Sequence, residues 1–270
     1  MKVPDQAGIE DALYYVEGIV RDRNVVPSDF VRHRSRFRND AAMLGAIYEG
    51  GEVLELGAFP CHFTATLKAL NYPVIAIDLA PERSKDMVAR FGLDLRKCDI
   101  EREPLPFADG AFRYVLLNEV FEHLRIDPLF VLSEINRVLA GDGTLMLTTP
   151  NLYSIQQIVR FLRGRGFGDP LRDFEKLRDI GHMGHVREYS HREIRRFLEY
   201  ADLKVASVTY RHFHFPASVR GILARIAFAL LPQAWPTRYG CLSRRRSGIR
   251  MPQPTGACFL HRRSAPSCTC

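Results

Sequence analysis

Two carboxylates and an imidazole stand close together in the segment Asn118–Leu124, "NEVFEHL". Glu119, Glu122 and His123 occupy positions i, i+3 and i+4, so a helix there would place all three on one face. Such a group could hold a hard or borderline divalent cation. His123 could instead act without a metal as a general base for a hydroxyl group, or have a purely structural role.

Further candidate residues follow short apolar runs of the kind that forms buried strands. The first run ends in Glu55–Gly57, where a glycine permits a tight turn and the freed amides of the next helix can face a ligand. The second run ends in Asp78, which could accept both hydrogen bonds from a ribose diol or, alternatively, stabilise a helix N-terminus. Asp99 could accept from an exocyclic amine such as that of adenine, with Ile100 covering the ring.

An alternation of strands and helices would position these residues. Short apolar runs predict strands at Glu52–Gly57, Pro73–Asp78, Phe112–Asn118, Gly143–Thr149, Lys204–Arg211 and Ala257–Arg262, with another strand ending near Asp99. Helical spacing is found in Thr64–Leu70, Arg83–Phe91, Pro128–Leu139 and most of Asn151–Leu203. The pattern predicts an α/β fold with a Rossmann-like, doubly wound, mostly parallel seven-stranded sheet. Ligands bind such folds at the carboxyl ends of the strands, where the candidate residues fall.

Three regions are expected along the chain. Residues 1–48 would form an N-terminal helical cap, residues 49–211 the core, and residues 212–270 a helical insertion, the last strand and a basic tail. Within the insertion, Val219–Leu231 is predicted as a short apolar helix with flanking arginines. It either packs on the core or lies at a membrane interface, where arginine flanks meet anionic lipid.

The charge of the chain limits the classes of partner. The net charge is +7 over 270 residues, which favours acidic partners. Clusters at Arg32–Arg38, Arg163–Arg165 and Arg244–Arg246 could recruit an anionic acceptor such as a phosphorylated lipid or a nucleotide-linked sugar, or could be plain solvated surface. The sequence has no aromatic-interleaved basic surface, which argues against nucleic acid as a partner.

The first residues lack the apolar segment of a signal peptide, and no apolar run is long enough to span a membrane. The six cysteines are scattered, a pattern typical of free thiols in a reducing compartment. We therefore expect a cytoplasmic protein, with peripheral membrane contact through Val219–Leu231 as an alternative. Nothing in the sequence indicates its oligomeric state.

Four motifs, in this order and spacing, resemble the class I S-adenosylmethionine-dependent methyltransferases (methyltransferase types 11 and 23). They are "VLELG", "VIAID", "CDIEREPLPFADGAFRYVLLNEVFEHL" and "GTLMLTTPN", from about Gly51 to Asn151. The resemblance implies S-adenosylmethionine as cofactor. It implies that the cofactor is bound by Glu55, Gly57, Ala58, Phe59, Asp78, Leu79, Asp99, Ile100, Asn118 and Glu119. Gly57 and its loop would hold the methionine portion, Asp78 the ribose and Asp99 the adenine amine, with Asn118 and Glu119 beside the sulfonium.

The loop after Gly57 departs from the family pattern, because Phe59 and Cys61 stand where glycines are usual. A nicotinamide dehydrogenase would need such glycines so that a pyrophosphate could approach the backbone. S-adenosylmethionine has no phosphate, so the departure argues against a dehydrogenase more than against a methyltransferase. The second function class that stays open is a catalytically silent binding or interaction protein with this fold.

The pattern E-x-x-E-H followed by H-x-x-E-aromatic-Ser resembles two metal-dependent subgroups, the ubiquinone-pathway O-methyltransferases and the small-RNA 2′-O-methyltransferases. His182 or His185 provides the second histidine, before a helix cap at Glu188–Ser190. This resemblance implies that the ligands of Mg, Mn or Zn are Glu119, Glu122, His123 and His185. The expected reaction is O-methylation of a small-molecule, sugar or lipid-linked acceptor, with His123 and Glu119 as catalytic residues.

Overall fold

Seven strands form one sheet in the computed structural model, which describes residues 4–166, 168–180, 184–211 and 238–245. The strands are β1 Val53–Leu56, β2 Val74–Asp78, β3 Asp94–Lys97, β4 Phe112–Asn118, β5 Leu139–Pro150, β6 Leu203–Arg211 and β7 Arg238–Arg245. Their order in the sheet is β3-β2-β1-β4-β5-β7-β6. The pairs among β1 to β5 are parallel, and β7 lies antiparallel between β5 and β6. The predicted doubly wound, mostly parallel seven-stranded sheet is confirmed.

The helices lie on both faces of this sheet. They are α1 Gln6–Asp22, α2 Pro27–Gly45, α3 His62–Ala69, α4 Lys85–Phe91, α5 Pro128–Val138, α6 Ile155–Leu162, α7 Pro170–Ile180 and α8 His191–Tyr200. None of the helices in the described ranges is long and apolar enough to cross a membrane.

Two hydrophobic cores form because neighbouring strand residues point to opposite faces of the sheet. Leu116 packs in the core under α1 to α4, and Leu117 in the core under α5 and α8. Both side chains are fully buried, as expected for a parallel sheet covered on both faces.

The seventh strand that the structure describes is not one of those predicted from the sequence. Arg238–Arg245 pairs with both β5 and β6, whereas the predicted strand Ala257–Arg262 lies outside the described residues. In β7 only Tyr239 and Cys241 supply large buried side chains with the alternation typical of a strand, and three arginines obscure that pattern. The predicted helix Val219–Leu231 also lies outside the described residues.

The strand order reverses between β1 and β4, and this switch point is where ligands bind in doubly wound folds. The chain leaves β1 towards one side of the sheet and β4 towards the other, so their carboxyl ends enclose a crevice. The crevice at the ends of β1 and β4 is therefore the expected position of a site.

Candidate active site

A cavity of about 380 Å³ lies at the carboxyl ends of β1 and β4. One wall consists of the residues that follow these strands, and the facing wall is one side of α2. The predicted cofactor residues that line it are Glu55, Gly57, Ala58, Phe59, Asn118 and Glu119. Asp78, Leu79, Asp99 and Ile100 lie outside this lining, so their predicted contacts with ribose and adenine stay predictions.

Gly57 is required at the turn after β1 for two reasons. Its φ of +73° is a conformation that residues with a side chain rarely adopt. A Cβ atom there would also lie 2.6 Å from Cγ2 of Val120, far inside van der Waals contact. The close approach of Val120 and the turn therefore both depend on glycine.

The unusual loop after Gly57 is held by Asp78. The Phe59 amide donates to Asp78 Oδ2 and the Ala80 amide to Oδ1, both at 2.9 Å. Cys61 takes the left-handed conformation with φ of +67° and is fully buried, and burial raises its thiol pKa to about 12. Phe59 is partly exposed, and the Arg83 guanidinium lies 3.7 Å from the centre of its ring. Cys61 thus occupies a position that favours glycine and its thiol is unreactive at neutral pH.

Asn118 ends β4 with a side-chain amide that has no hydrogen-bond partner among the described residues. Its Oδ1 and Nδ2 atoms are both buried, and neither forms a hydrogen bond with any described residue. A buried polar group left without partners costs about 1–3 kcal/mol. Because Asn118 also lines the cavity, this amide is placed to bind a polar ligand there.

Glu55 and Glu119 bring carboxyl groups to the same cavity. Glu55 is buried and accepts a 2.6 Å hydrogen bond from Thr64 Oγ1, and burial raises its pKa to about 7. Glu119 lies within 3.2 Å of the Thr148 hydroxyl, and its Oε2 is 3.8 Å from the Arg36 guanidinium.

The helix that would place Glu119, Glu122 and His123 on one face does not form. Glu119 has a φ of +58°, and only the short 3₁₀ turn Phe121–His123 follows it. Its amide donates to the Thr148 carbonyl at 2.8 Å, which extends the β4–β5 ladder by one residue instead of starting a helix. The three side chains therefore do not share one helical face.

A cluster of three possible metal ligands nevertheless forms. Ligand atoms of Glu122, His123 and His185 all lie within 4.8 Å of one another, and Glu119 is not part of this group. Glu122 is fully buried; Thr149 Oγ1 donates to its Oε2 at 2.9 Å, while its Oε1 has no hydrogen bond with the described residues. His185 Nε2 lies 3.9 Å from that Oε1. His182 is outside the described residues.

The surroundings of this cluster shift its titration. Burial raises the pKa of Glu122 to about 6, against the opposing effects of the His185 charge and the Thr149 hydrogen bond. Burial lowers the pKa of His185, but the hydrogen bond to Glu188 at 3.4 Å and the nearby carboxylates outweigh this and raise it overall. Glu188 is itself fixed by a 2.8 Å hydrogen bond from Gln157.

Sequence reasoning missed the contribution of α2. Four polar side chains at helical spacing line the cavity from this helix: Asp29, His33, Arg36 and Asp40. Among the described residues, the cavity lining contains five carboxyl groups and one guanidinium, that of Arg36. Burial lowers the pKa of Arg36, an effect that Asp40 and Asp29 partly offset. The sequence shows the i, i+4, i+7, i+11 spacing of these side chains, but it does not show that they line a cavity at the ends of β1 and β4.

The other arginines of the N-terminal cluster point elsewhere. Arg34 pairs with Glu10 at 2.8 Å and with Glu17 at 3.1 Å, and Arg38 also pairs with Glu10. These ion pairs join α2 to α1. Arg36 alone of this cluster lines the cavity.

Comparison with known families supports the fold. The methyltransferase-domain family matches residues 30–208. A malonyl-[acyl-carrier protein] O-methyltransferase from Legionella pneumophila is 29% identical over 136 residues, covering 48% of this chain and 46% of the relative. An uncharacterised methyltransferase from Bacillus subtilis, YodH, is 34% identical over 97 residues, covering 35% of this chain and 41% of the relative. The chain thus matches less than half the length of these two relatives.

The fold also matches solved structures. A SAM-dependent methyltransferase from Thermotoga maritima aligns with a TM-score of 0.57 and 17% identity, covering 86% of this chain and all (100%) of that protein. A second SAM-dependent methyltransferase, from Archaeoglobus fulgidus, aligns with a TM-score of 0.55 and 15% identity over 80% of this chain and 94% of that one. At these identities the likeness concerns the fold alone.

Proposed function

The chain belongs to the class I S-adenosylmethionine-dependent methyltransferases, and from that premise we propose that it methylates an oxygen atom of a small-molecule, sugar or lipid-linked acceptor. One observation carries this proposal. One cavity is lined by Gly57 and Asn118, which are predicted to bind the cofactor, and also by His123 and His185.

The residues present fit S-adenosylmethionine. When bound, the cofactor supplies a methyl group on a sulfonium centre that is a good leaving group, so the protein mainly aligns the reactants and deprotonates the acceptor. The unpartnered Asn118 amide and the open turn at Gly57 are suited to its amino-acid portion. The excess of carboxyl groups in the lining favours a cationic ligand.

His123 is the proposed general base. Its Nδ1 lies 2.6 Å from the Gly184 carbonyl oxygen, so Nδ1–H donates and Nε2 carries the lone pair. That arrangement lets Nε2 take the proton of an acceptor hydroxyl that enters the cavity. Glu119, held near Arg36 and Thr148, adds negative charge beside the predicted position of the sulfonium.

Metal assistance is the second form of this mechanism. Glu122, His123 and His185 would hold the cation, and a mixed carboxylate–imidazole set suits Zn or Mn better than Mg. The unsatisfied Oε1 of Glu122 and the hydrogen bond that orients His185 through Glu188 support this. A bound cation would lower the pKa of the acceptor hydroxyl. Glu119 has no place in this ligand set.

The lining also bears on the acceptor. The described residues of the lining supply five carboxyl groups and one guanidinium, so they favour neutral or cationic acceptor groups over free anions. We therefore propose a neutral hydroxyl as the reacting group. Any phosphate of a lipid-linked or sugar acceptor would stay outside the cavity.

A labelled-methyl assay tests the proposal. Chelator-treated protein is incubated with methyl-labelled S-adenosylmethionine and a panel of hydroxylated lipids and sugars, with and without Mn or Zn. The expected product is a methyl ether. His123→Gln should lower turnover by roughly 10²–10⁴-fold with cofactor affinity nearly unchanged.

His191→Gln, on α8 against Tyr210, is the matched control and should react like the wild type. Turnover that needs added metal and is lost in Glu122→Gln would favour the metal form. Wild-type turnover in His123→Gln, or methylation of amines alone, would contradict the proposed base. Cofactor binding without turnover on any acceptor would favour the silent-fold alternative.

A further inference from the structure

Helices α6 and α7 expose an unusual amount of apolar surface. Leu162, Leu171 and Phe174 are 82%, 71% and 62% exposed, and Tyr153 and Phe161 are exposed beside them. Gln157 is the one buried residue of α6, and no described side chain of α7 is buried. The described part of the chain therefore leaves the apolar sides of both helices uncovered, which marks an interaction surface.

Basic residues are interspersed with these apolar residues along the sequence. Residues 153–180 contain six arginines and lysines against four acids, a net charge of +2. Arg163 and Arg165 are exposed and form no ion pair with any residue that the structure describes. Exposed leucine and phenylalanine flanked by free arginines are the composition of a surface that lies on anionic lipid.

The segment that carries this surface leaves the carboxyl edge of the sheet and leads back to the active-site cavity. β5 ends with Pro150 at the carboxyl edge of the sheet, and α6 begins five residues later at Ile155. After α7, the chain returns to the cavity, where Gly184 binds His123 and His185 joins the lining. A bilayer against α6 and α7 would therefore be next to the cavity mouth.

We infer that α6 and α7 form a docking surface that seats on an anionic bilayer. The apolar side chains enter the acyl–headgroup boundary, and the arginines contact anionic headgroups. Docking itself does not depend on methyl transfer. Its consequence, that a lipid-linked acceptor reaches the cavity without crossing water, rests on the proposed function.

Vesicle co-sedimentation of the full chain, without cofactor, tests the inference. Wild-type protein should bind phosphatidylglycerol-containing vesicles at least tenfold more tightly than pure phosphatidylcholine vesicles, and less tightly at high salt. The double variant Leu162→Glu/Phe174→Glu should lose binding at least tenfold. Both side chains are exposed, so a circular dichroism melting curve like that of the wild type is expected and checks folding.

Tyr14→Glu is the matched control, since Tyr14 is 78% exposed on α1, away from this surface, and should bind like the wild type. The inference would be overturned if the double variant bound anionic vesicles as tightly as the wild type. It would also be overturned if the wild type did not bind anionic vesicles more tightly than phosphatidylcholine vesicles. A wild-type dimer that Leu162→Glu dissociates would also overturn it, since the surface would then join two copies. Because no arm measures turnover, failure here leaves the proposed reaction standing.

Discussion

Gly57 carries two constraints that can be separated by mutation. In Gly57→Ala, the left-handed backbone conformation would cost about 1–2 kcal/mol. The added Cβ atom would also clash with Cγ2 of Val120, 2.6 Å away. We expect S-adenosylmethionine affinity, measured by calorimetry, to fall more than tenfold. The double variant Gly57→Ala/Val120→Ala removes the clash and should recover part of the loss.

Gly92 provides the control for backbone strain alone. Its φ is +59°, but a Cβ there meets nothing within 4 Å. Gly92→Ala should lower stability slightly and leave cofactor affinity unchanged. If Gly57→Ala binds as tightly as the wild type, the close approach at the turn has no role in binding.

The raised pKa of Glu55 makes the free energy of unfolding depend on pH. Burial raises its pKa from 4.5 to about 7, so the folded chain favours the protonated carboxyl. The folded state binds more protons than the unfolded state between these values, and stability therefore falls as pH rises through them. The full penalty is about 3 kcal/mol above pH 7 and is absent below pH 4.5.

Glu55→Gln removes this charge and keeps an acceptor for the Thr64 hydroxyl. Urea unfolding should show the variant more stable than the wild type at pH 8, by about 1–3 kcal/mol. The difference should shrink at pH 5. A variant that is less stable than the wild type at pH 8 would contradict this prediction, because it would mean that the charged Glu55 carboxylate stabilises the folded state.

At the scale of elements, the parallel strands could be predicted closely and the connections could not. Phe112–Asn118 was predicted to the residue, because a strand buried on both faces leaves a continuous apolar run. The conformation of the turn after β4 was left open, because i, i+3, i+4 spacing does not distinguish a helix from a 3₁₀ turn preceded by a left-handed residue. The α2 wall was missed, because its polar face is selected by packing against α1 and α3.

Helix α8 is predicted to depend on its cap. Ser190 Oγ accepts from the Glu193 amide, and Glu193 accepts from the Ser190 amide, in a capping box. Ile194 and Leu198 fix this helix in the core. Ser190→Ala should lower the free energy of unfolding by about 1 kcal/mol, measured in urea.

The cap of α6 is the control. Ser154 caps that helix through the Gln157 amide, but α6 buries little of its surface. Fraying of α6 exposes little buried surface and therefore costs little free energy. Ser154→Ala should thus lower the free energy of unfolding less than Ser190→Ala does. Equal losses would mean that α6 contributes to the global fold as much as α8.

At the scale of the whole molecule, the two cores hold opposite faces of one sheet, and the cavity opens where their helices diverge. α2 is tied over the cavity at both ends of its polar face. Asp29 Oδ2 lies 3.8 Å from Nδ1 of His62 on α3, and the buried Asp40 accepts a 2.6 Å hydrogen bond from Arg211 at the end of β6. The sequence predicted the fold and several of the residues at strand ends that line the cavity. The long-range tie between Arg211 and Asp40 left no local pattern.

The central claim is that this cavity binds S-adenosylmethionine through Asn118. The most direct test is a calorimetric titration of the cofactor into wild-type protein and Asn118→Ala, together with the melting temperature of each free protein. We predict a dissociation constant on the order of micromolar for the wild type and roughly tenfold weaker binding for the variant. Free Asn118→Ala should melt higher, because an unpartnered buried amide is removed. No heat in the wild type, or equal affinity in Asn118→Ala, would contradict the account.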